Sequence, residues 1–160
     1  MSQFRIGYGY DAHRFAEGRP LILCGVEIPY ERGLAGHSDA DAAAHALTDA
    51  LLGALALGDI GGMFPDTEER FRGADSIELL KQAFASPKFR EWTIANVDLT
   101  IVAQRPKIFP FVPAMRERLA SALGIGTDQV SIKGKTTEGM GFCGRGEGVE
   151  AYAAALLERK

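Results

Sequence analysis

The sequence predicts one α/β domain in which helices cover one face of a β-sheet. Three observations support this class. Segments that alternate apolar and polar residues indicate strands, segments with helical apolar spacing lie between them, and no internal repeat or interdomain linker is visible. The chain of 160 residues falls within the usual size of a domain, and we assign residues 1–160 to a single one.

The first strand is predicted from residue 4, where apolar side chains alternate with glycine or polar ones. The apolar members are Phe4, Ile6, Tyr8 and Tyr10, and the intervening ones are Arg5, Gly7, Gly9 and Asp11. This period of two is typical of a strand with one buried face, which we expect to be the apolar one. Asp11 and His13 then share the other face, with side chains that start about 7 Å apart.

The remaining elements follow from apolar periodicity and from turn residues. Residues 21–23 and 26–28 predict a hairpin, and residues 31–36 predict a loop. Helices are predicted over residues 39–57, 75–85 and 113–123, the first with Ser38 or Asp39 as its N-cap and the last closed by Gly124. Strands are predicted over residues 92–102 and 130–137. The final segment, residues 149–157, is alanine-rich, and propensity alone favours a helix there.

The histidines carry the strongest chemical signal in the chain. All three, at positions 13, 37 and 45, lie within the first 45 residues, and each has an aspartate close by. Imidazoles with a carboxylate are a usual ligand set for zinc, and three protein ligands leave a fourth position open for substrate. Asp11, His13 and His45 are therefore candidate metal ligands. The alternative, that each histidine is only a hydrogen-bonded polar residue, stays open at this point.

Polar residues around the candidate ligands suggest supporting roles. Asp41 and Asp49 lie one helical turn on either side of His45 and are expected to orient it rather than to bind the ion. His37 and Ser38 fall at the predicted start of the same helix, where free backbone N–H groups attract anions, so a phosphate is expected beside the metal. Ser38 could equally be a helix cap alone.

Two polar segments follow predicted strands and could line one pocket. They are residues 103–107 and residues 134–138. Backbone amides, threonine hydroxyls and Lys107 would suit a nucleotide base and its phosphates, and Glu138 could hold Mg²⁺ together with phosphate oxygens. Either segment could instead be an ordinary polar loop. Arg145 and Glu147 could face a subunit interface or lie on a surface hairpin.

Composition excludes some partners. Charged residues make up 24% of the chain, the net charge is -3, and no long run of one sign occurs, so we expect no nucleic-acid partner. No apolar run approaches a membrane span, and we expect no membrane association. Cys24 and Cys143 lie far apart and predict free thiols of a reducing compartment. The N-terminal segment lacks an apolar signal region, so we expect a cytoplasmic protein.

Five segments together resemble a known family. They are residues 5–13 (RIGYGYDAH), 37–53 (HSDADAAAHALTDALLG), 58–61 (GDIG), 64–67 (FPDT) and 141–148 (GFCGRGEG). In this order and spacing they resemble the 2-C-methyl-D-erythritol 2,4-cyclodiphosphate synthases of the non-mevalonate isoprenoid pathway. Several long motifs in the correct order are far more specific than any single one.

The resemblance implies a fold, an assembly and a reaction. It implies a four-stranded mixed sheet with helices on one face, a final segment that is a strand, and a homotrimer whose sheets face a central channel. The reaction is cyclisation of 4-diphosphocytidyl-2-C-methyl-D-erythritol 2-phosphate with release of CMP, in active sites at subunit interfaces. The channel can hold an isoprenoid diphosphate in this family.

The resemblance also implies roles for individual residues. Zn²⁺ would be held by Asp11, His13 and His45, and Mg²⁺ or Mn²⁺ would be held by Glu138 with the diphosphate. Catalytic roles fall to His37, Asp49, Thr136 and Thr137. The substrate contacts, in chain order, are His37, Ser38, Asp59, Gly61, Phe64, Asp66, Thr67, Glu68, Ala103, Gln104, Arg105, Pro106, Lys107, Gly134, Lys135, Thr136, Thr137, Glu138, Phe142 and Arg145.

Three departures from the family pattern stand out. Ala40 replaces a common glycine, Glu68 replaces a common aspartate, and Gly134-Lys135 replaces a small residue followed by threonine. Two further functions remain as alternatives: a zinc-dependent phosphoester hydrolase, which would need a general base beside the open metal position, and a non-catalytic module with structural zinc. Structural zinc sites are usually rich in cysteine and closed by a fourth protein ligand, and the sequence shows no such set.

Overall fold

A mixed five-stranded sheet forms the centre of the protein, which is described here over residues 2–160 of a computed structural model. The strands are β1 (Phe4–Ala16), β2 (Leu21–Leu23), β3 (Val26–Ile28), β4 (Gly33–Leu34), β5 (Trp92–Val102), β6 (Val130–Lys135) and β7 (Gly148–Arg159). The helices are α1 (Ala42–Ala54), α2 (Ile60–Met63), α3 (Ser76–Phe84), α4 (Val112–Leu123) and α5 (Gly141–Gly144).

The strand order in the main sheet is β4-β1-β7-β5-β6, and β2 pairs with β3 in a separate hairpin. Only β5 and β6 run parallel; the other pairs are antiparallel. The prediction of four strands was therefore wrong by one. The fifth is β4, a two-residue strand that pairs with the end of β1 inside the segment predicted as a loop. Two residues are too few to give a periodic signal.

The buried face of β1 is the one opposite to that predicted. Ile6 and Tyr8 are 75% and 65% exposed, and Phe4 and Tyr10 are also exposed. Gly7 and Gly9 are buried instead, because α1 lies directly against them. A Cβ atom on Gly9 would lie 1.9 Å from the carbonyl oxygen of Ala46. Alternation gave the period of the strand correctly, but the apolar face is not the face that meets the helix.

Small residues allow α1 to approach the sheet closely. The helix buries a series of alanines, and the facing strand β7 buries Ala151, Ala153 and Ala155. This explains why the final segment is a strand although its alanine content favours a helix: its side chains alternate between the two sheet faces, and alanine is the size that fits beneath α1. The strand implied by the resemblance is confirmed, and the helix favoured by propensity is not.

The helix α1 begins later and ends earlier than predicted, and its cap is Asp41. Ser38 and Asp39 form turns before it: the Ser38 hydroxyl accepts the N–H of Ala40, and the Asp39 carboxylate accepts the N–H of Asp41. Ala40 has a φ of 59°, a left-handed conformation that favours glycine, which gives a physical reason for the glycine that the resemblance implies at this position.

The other predicted elements agree with the structure apart from their ends. The hairpin, α3 and β5 are confirmed, and Gly124 closes α4 in the left-handed conformation. The strand β6 stops at Lys135, two residues before its predicted end, and the short helices α2 and α5 lie in segments where the sequence predicted no helix of their own. Among the described residues, no helix is long and apolar enough to cross a membrane.

Candidate active site

Three candidate metal ligands meet between β1 and α1. Asp11 and His13 are alternate residues of β1 and point to the same side of the sheet, where α1 supplies His45. His13 Nε2 lies 2.8 Å from Asp11 Oδ2, and His45 Nδ1 lies 3.0 Å from the same oxygen. The two ring nitrogens are 3.3 Å apart. The structure thus brings together the three residues that the sequence singled out, as a group that could hold a metal ion.

Hydrogen bonds on the far side of each ring leave the inner nitrogens available as ligands. His13 Nδ1 lies 2.7 Å from the carbonyl oxygen of Ala35, which can only accept, so this nitrogen carries a proton, and in the neutral ring Nε2 has the free lone pair for a metal. His45 Nε2 faces the hydroxyls of Ser76, at 2.7 Å, and Ser38, at 3.2 Å. Outer hydrogen bonds of this kind accompany most histidine ligands of metals.

The electrostatics of the cluster favour a cation at its centre. Burial alone would raise the pKa of Asp11, but its contacts with His13 and His45 outweigh burial and lower that pKa to about 2. Burial would lower the pKa of His13, and the hydrogen bond and charge of Asp11 raise it instead. Two nitrogens and one carboxylate oxygen match the donors that Zn²⁺ takes at catalytic sites, with a fourth position open.

Asp41 does not orient His45, contrary to the prediction. Its fully buried carboxylate accepts the backbone N–H groups of Cys24, Gly25 and Ala44, at 2.9, 2.7 and 2.9 Å. It therefore joins the β2–β3 turn to the start of α1. This carboxylate caps the helix N-terminus itself, whereas His37 and Ser38 lie before the helix and line the cavity beside the metal cluster, so their contact with a phosphate stays a prediction.

Asp49 lies on the other side of His45 and connects α1 to α2. Its carboxylate accepts the N–H of Ile60 at 2.7 Å, and burial is the main cause that raises its pKa. A catalytic role for Asp49 remains a prediction.

A cavity of about 470 Å³ opens beside the metal cluster. Its wall includes both histidine ligands and the following residues named from the sequence: His37, Ser38, Gly61, Phe64, Asp66 and Thr67. Two others lie outside the wall. Asp59 caps α2 by accepting the N–H of Gly62 at 2.8 Å, and Glu68 pairs with Arg70 at 2.5 Å. Sequence reasoning missed Ile60, Phe71 and Leu79, whose apolar side chains resemble any core residue.

A second cavity, of about 140 Å³, lies where β5 and β6 end. It is lined by Ala103, Gln104, Pro106, Lys107, Gly134, Lys135 and Thr136, all named from the sequence, together with Ile108 and Phe109, which were not. Arg105 is exposed and does not line it. The prediction that the two segments line one pocket at adjacent strand ends is therefore confirmed.

The loop after β6 holds Thr137 and Glu138. Thr137 donates its hydroxyl to the carbonyl of Met140, and the side chain of Gln104 accepts the N–H of Gly139 at 3.1 Å, which joins the two segments. Glu138 is exposed, has a φ of 54° and lies outside the cluster of Asp11, His13 and His45. Its metal role stays a prediction.

The segment of residues 141–148, which is rich in glycine, borders a third cavity of about 480 Å³. Phe142 and Glu147 line it together with His13, and Arg145 pairs with Glu147 at 2.8 Å.

The cavity beside the metal cluster and the one at the ends of β5 and β6 share no lining residue. The predicted metal and nucleotide regions are thus separate within one chain.

Comparison with known proteins identifies a family and close sequence relatives of this chain. Residues 4–158 match the YgbB family. A curated relative from Geobacter metallireducens, 2-C-methyl-D-erythritol 2,4-cyclodiphosphate synthase, is 58% identical over 156 residues, which cover 98% of this chain and 99% of the relative.

Solved structures agree with the sequence relatives. The bifunctional IspDF from Campylobacter jejuni matches with a TM-score of 0.94 and 43% identity, over 98% of this chain and 42% of that protein. A 2C-methyl-D-erythritol-2,4-cyclodiphosphate synthase in its CDP-bound form matches with a TM-score of 0.87 and 44% identity, over 96% of this chain and 100% of the other.

Proposed function

The chain belongs to the YgbB family, and from that premise we propose that it converts 4-diphosphocytidyl-2-C-methyl-D-erythritol 2-phosphate to 2-C-methyl-D-erythritol 2,4-cyclodiphosphate and CMP. This makes it a phosphorus-oxygen lyase of the non-mevalonate isoprenoid pathway. The observation that carries the proposal is the convergence of Asp11, His13 and His45 beside a cavity lined by His37 and Ser38.

The proposed reaction depends on alignment more than on a strong base. An oxygen of the 2-phosphate attacks the β-phosphorus of the diphosphate, and the bond from that phosphorus to the oxygen retained by CMP breaks. Both reacting groups belong to one molecule, so holding them in line removes most of the entropic barrier. The 470 Å³ cavity is large enough to hold the sugar-phosphate portion.

Zn²⁺ is the proposed ion at the cluster, held by Asp11, His13 and His45. When bound there it supplies Lewis-acid polarisation of a phosphate oxygen and a fixed template for the diphosphate. His37 and Ser38 line the same cavity and would contact phosphate, whereas Gly61, Phe64, Asp66 and Thr67 would contact the erythritol portion.

The nucleotide is proposed to bind in the cavity at the ends of β5 and β6. Ala103 and Pro106 give this cavity apolar surface for a pyrimidine, and Lys107 and Lys135 border it with two ammonium groups that suit a diphosphate. Thr136 and Thr137 would stabilise charge on the phosphates, and Glu138 would hold Mg²⁺ or Mn²⁺ with diphosphate oxygens.

A homotrimer would bring the separate regions of neighbouring chains together. The exposed apolar face of β1, formed by Phe4, Ile6, Tyr8 and Tyr10, supports such an assembly, because a row of large exposed apolar side chains of this kind usually marks an interface. The sheets would then face a central channel. Arg145 would contact an isoprenoid diphosphate there, although its guanidinium is already paired with Glu147. Sedimentation equilibrium measures the oligomeric state directly.

A cytoplasmic location is part of the proposal. Cys24 and Cys143 are both buried free thiols, which suits a reducing compartment. Burial raises the pKa of the Cys143 thiol to about 11, so it is not activated for redox chemistry.

The test is ³¹P NMR of the reaction products before and after zinc chelation. With Mg²⁺ present, a cyclic diphosphate and CMP that disappear on chelation and return with Zn²⁺ support the synthase. Linear phosphate products would instead support a zinc-dependent phosphoester hydrolase.

A further inference from the structure

We propose that Ser76 and Asp39 are positioning residues that hold the ring of His45 with Nδ1 directed at the metal. Neither residue was singled out from the sequence as part of the metal site. The proposal rests on the proposed binding of zinc by Asp11, His13 and His45, and it concerns how the chain prepares that site before the ion binds.

The contacts form a short chain of hydrogen bonds behind His45. His45 Nε2 lies 2.7 Å from Ser76 Oγ, and the Ser76 hydroxyl donates to Asp39 Oδ1. Asp39 Oδ2 also accepts the backbone N–H of Ser76 at 3.0 Å, so the carboxylate makes two hydrogen bonds to the serine. Ser76 is fully buried.

Counting protons fixes the direction of each bond. A carboxylate can only accept, so the single hydroxyl proton of Ser76 is used by Asp39. The Ser76 oxygen can then only accept from His45, and Nε2 must carry the ring proton. In a neutral imidazole the other nitrogen, Nδ1, is left with its lone pair, and Nδ1 is the atom that faces Asp11 and His13.

The second hydroxyl near this nitrogen is less suited to the task. Ser38 Oγ lies 3.2 Å from Nε2, accepts the N–H of Ala40 and lines the 470 Å³ cavity. Its position allows it to turn toward a substrate. Ser76, at the shorter distance and away from the cavity wall, can serve His45 permanently.

Backbone contacts make the support rigid. Gly73 donates its N–H to the carbonyl of His37 at 2.8 Å, and Asp39 donates its N–H to the carbonyl of Ala74 at 3.1 Å. The turn before α1 is therefore fastened to the start of α3. The negative charge of Asp39 acts on His45 through the Ser76 hydroxyl and makes the imidazole a better electron-pair donor to a cation.

The test measures zinc affinity of the full chain, made metal-free and titrated against a chromophoric chelator. Ser76→Ala removes the hydroxyl but leaves the N–H bond to Asp39, and Ser76→Thr restores a hydroxyl. Asp39→Asn keeps an oxygen acceptor while removing the charge. Thr48→Val is the matched control. It deletes a buried hydroxyl on α1, the helix of His45, and that hydroxyl bonds to the Ala44 carbonyl at 2.8 Å.

We expect Ser76→Ala to weaken zinc binding by about 10- to 100-fold, and Ser76→Thr and Thr48→Val to stay within about threefold of wild type. The zinc affinity of Asp39→Asn should lie between that of Ser76→Ala and that of the wild type. This variant keeps the proposal testable if Ser76→Ala does not fold. In the zinc-loaded wild type, the His45 Nε2–H proton should give a slowly exchanging downfield NMR signal that Ser76→Ala abolishes.

Unchanged zinc affinity and an unchanged Nε2–H signal in folded Ser76→Ala would overturn the positioning role while leaving the metal site intact. Equal losses in Ser76→Ala and Thr48→Val would also overturn it, since the effect would then be one of helix stability. Absence of zinc binding by the wild type would overturn the metal assignment itself.

Discussion

Replacement of Gly9 by alanine tests whether the close approach of α1 to β1 sets the geometry of the metal cluster. Gly9 is two residues before Asp11 on β1, and it faces Ala46, the residue after His45 on α1. An added Cβ would lie 1.9 Å from the Ala46 carbonyl oxygen and 2.9 Å from the nitrogen of Ala50. Both obstacles are backbone atoms, which cannot rotate away.

The size of the effect follows from this contact. An ordinary van der Waals approach begins at 3.4 Å, so the strand and helix must separate by about 1.5 Å. Overpacking of this kind costs about 1–3 kcal/mol, which lowers the Tm of a chain of this length by about 2–12 °C. A ligand displaced by about 1 Å is expected to reduce turnover about 100-fold.

Gly53→Ala is the matched control. Gly53 lies on α1, and the nearest atom to a Cβ added there would be the Tyr8 carbonyl oxygen at 3.9 Å, an ordinary contact. Alanine there should stabilise the helix by about 1 kcal/mol and leave zinc affinity unchanged. Thermal unfolding and chelator competition on both variants measure the two effects separately.

A Gly9→Ala variant with wild-type Tm and wild-type zinc affinity would refute the reasoning. Loss of stability with unchanged zinc affinity would show that the strand and the helix can separate without moving His45 relative to Asp11. The same loss in Gly53→Ala would indicate a general sensitivity of α1 to substitution, unrelated to the close approach.

The remaining predictions concern the two halves of the site. His45→Ala should abolish zinc binding and lower cyclisation at least about 100-fold without changing the oligomeric state, as metal analysis, ³¹P NMR and sedimentation would show. Zinc affinity should begin to fall as the pH decreases from a value above 6.5, because the raised pKa of His13 lets protons compete with the metal at a higher pH than an ordinary histidine allows. A zinc affinity that does not change between pH 8 and about pH 6 would contradict this. Lys135→Thr should weaken CDP binding about three- to tenfold in calorimetry, more at low salt, whereas Lys133→Thr, which breaks a pair with Asp98 outside the cavity, should not.

The sequence predicted the main elements and the metal cluster because each has a local signal. The alternation of β1 placed Asp11 and His13 on one face, and the histidine spacing made His45 the natural partner. Both conclusions needed only the period of an element and the chemistry of its side chains. The family resemblance supplied what local propensity could not, the strand conformation of β7.

The errors share a physical origin in contacts between distant parts of the chain. The apolar face of β1 was placed inward because glycine carries no apolar side chain, yet glycine is what a closely packed helix requires at positions 7 and 9. Asp41 was assigned to His45 because the two lie one turn apart, but its carboxylate is used by backbone groups of residues 24, 25 and 44. Ser76 was missed because 31 residues separate it from His45.

The alternation of β1 makes the position of the metal ligands depend on the count of residues along one strand. Asp11 and His13 lie beside Tyr10 and Ala12, which point to the opposite face, and eleven paired positions from Phe4 to Arg14 hold this register against β7. A single inserted or deleted residue between Gly9 and Asp11 would turn both ligands away from His45. Insertions in this family should therefore fall in the loops and never in this strand.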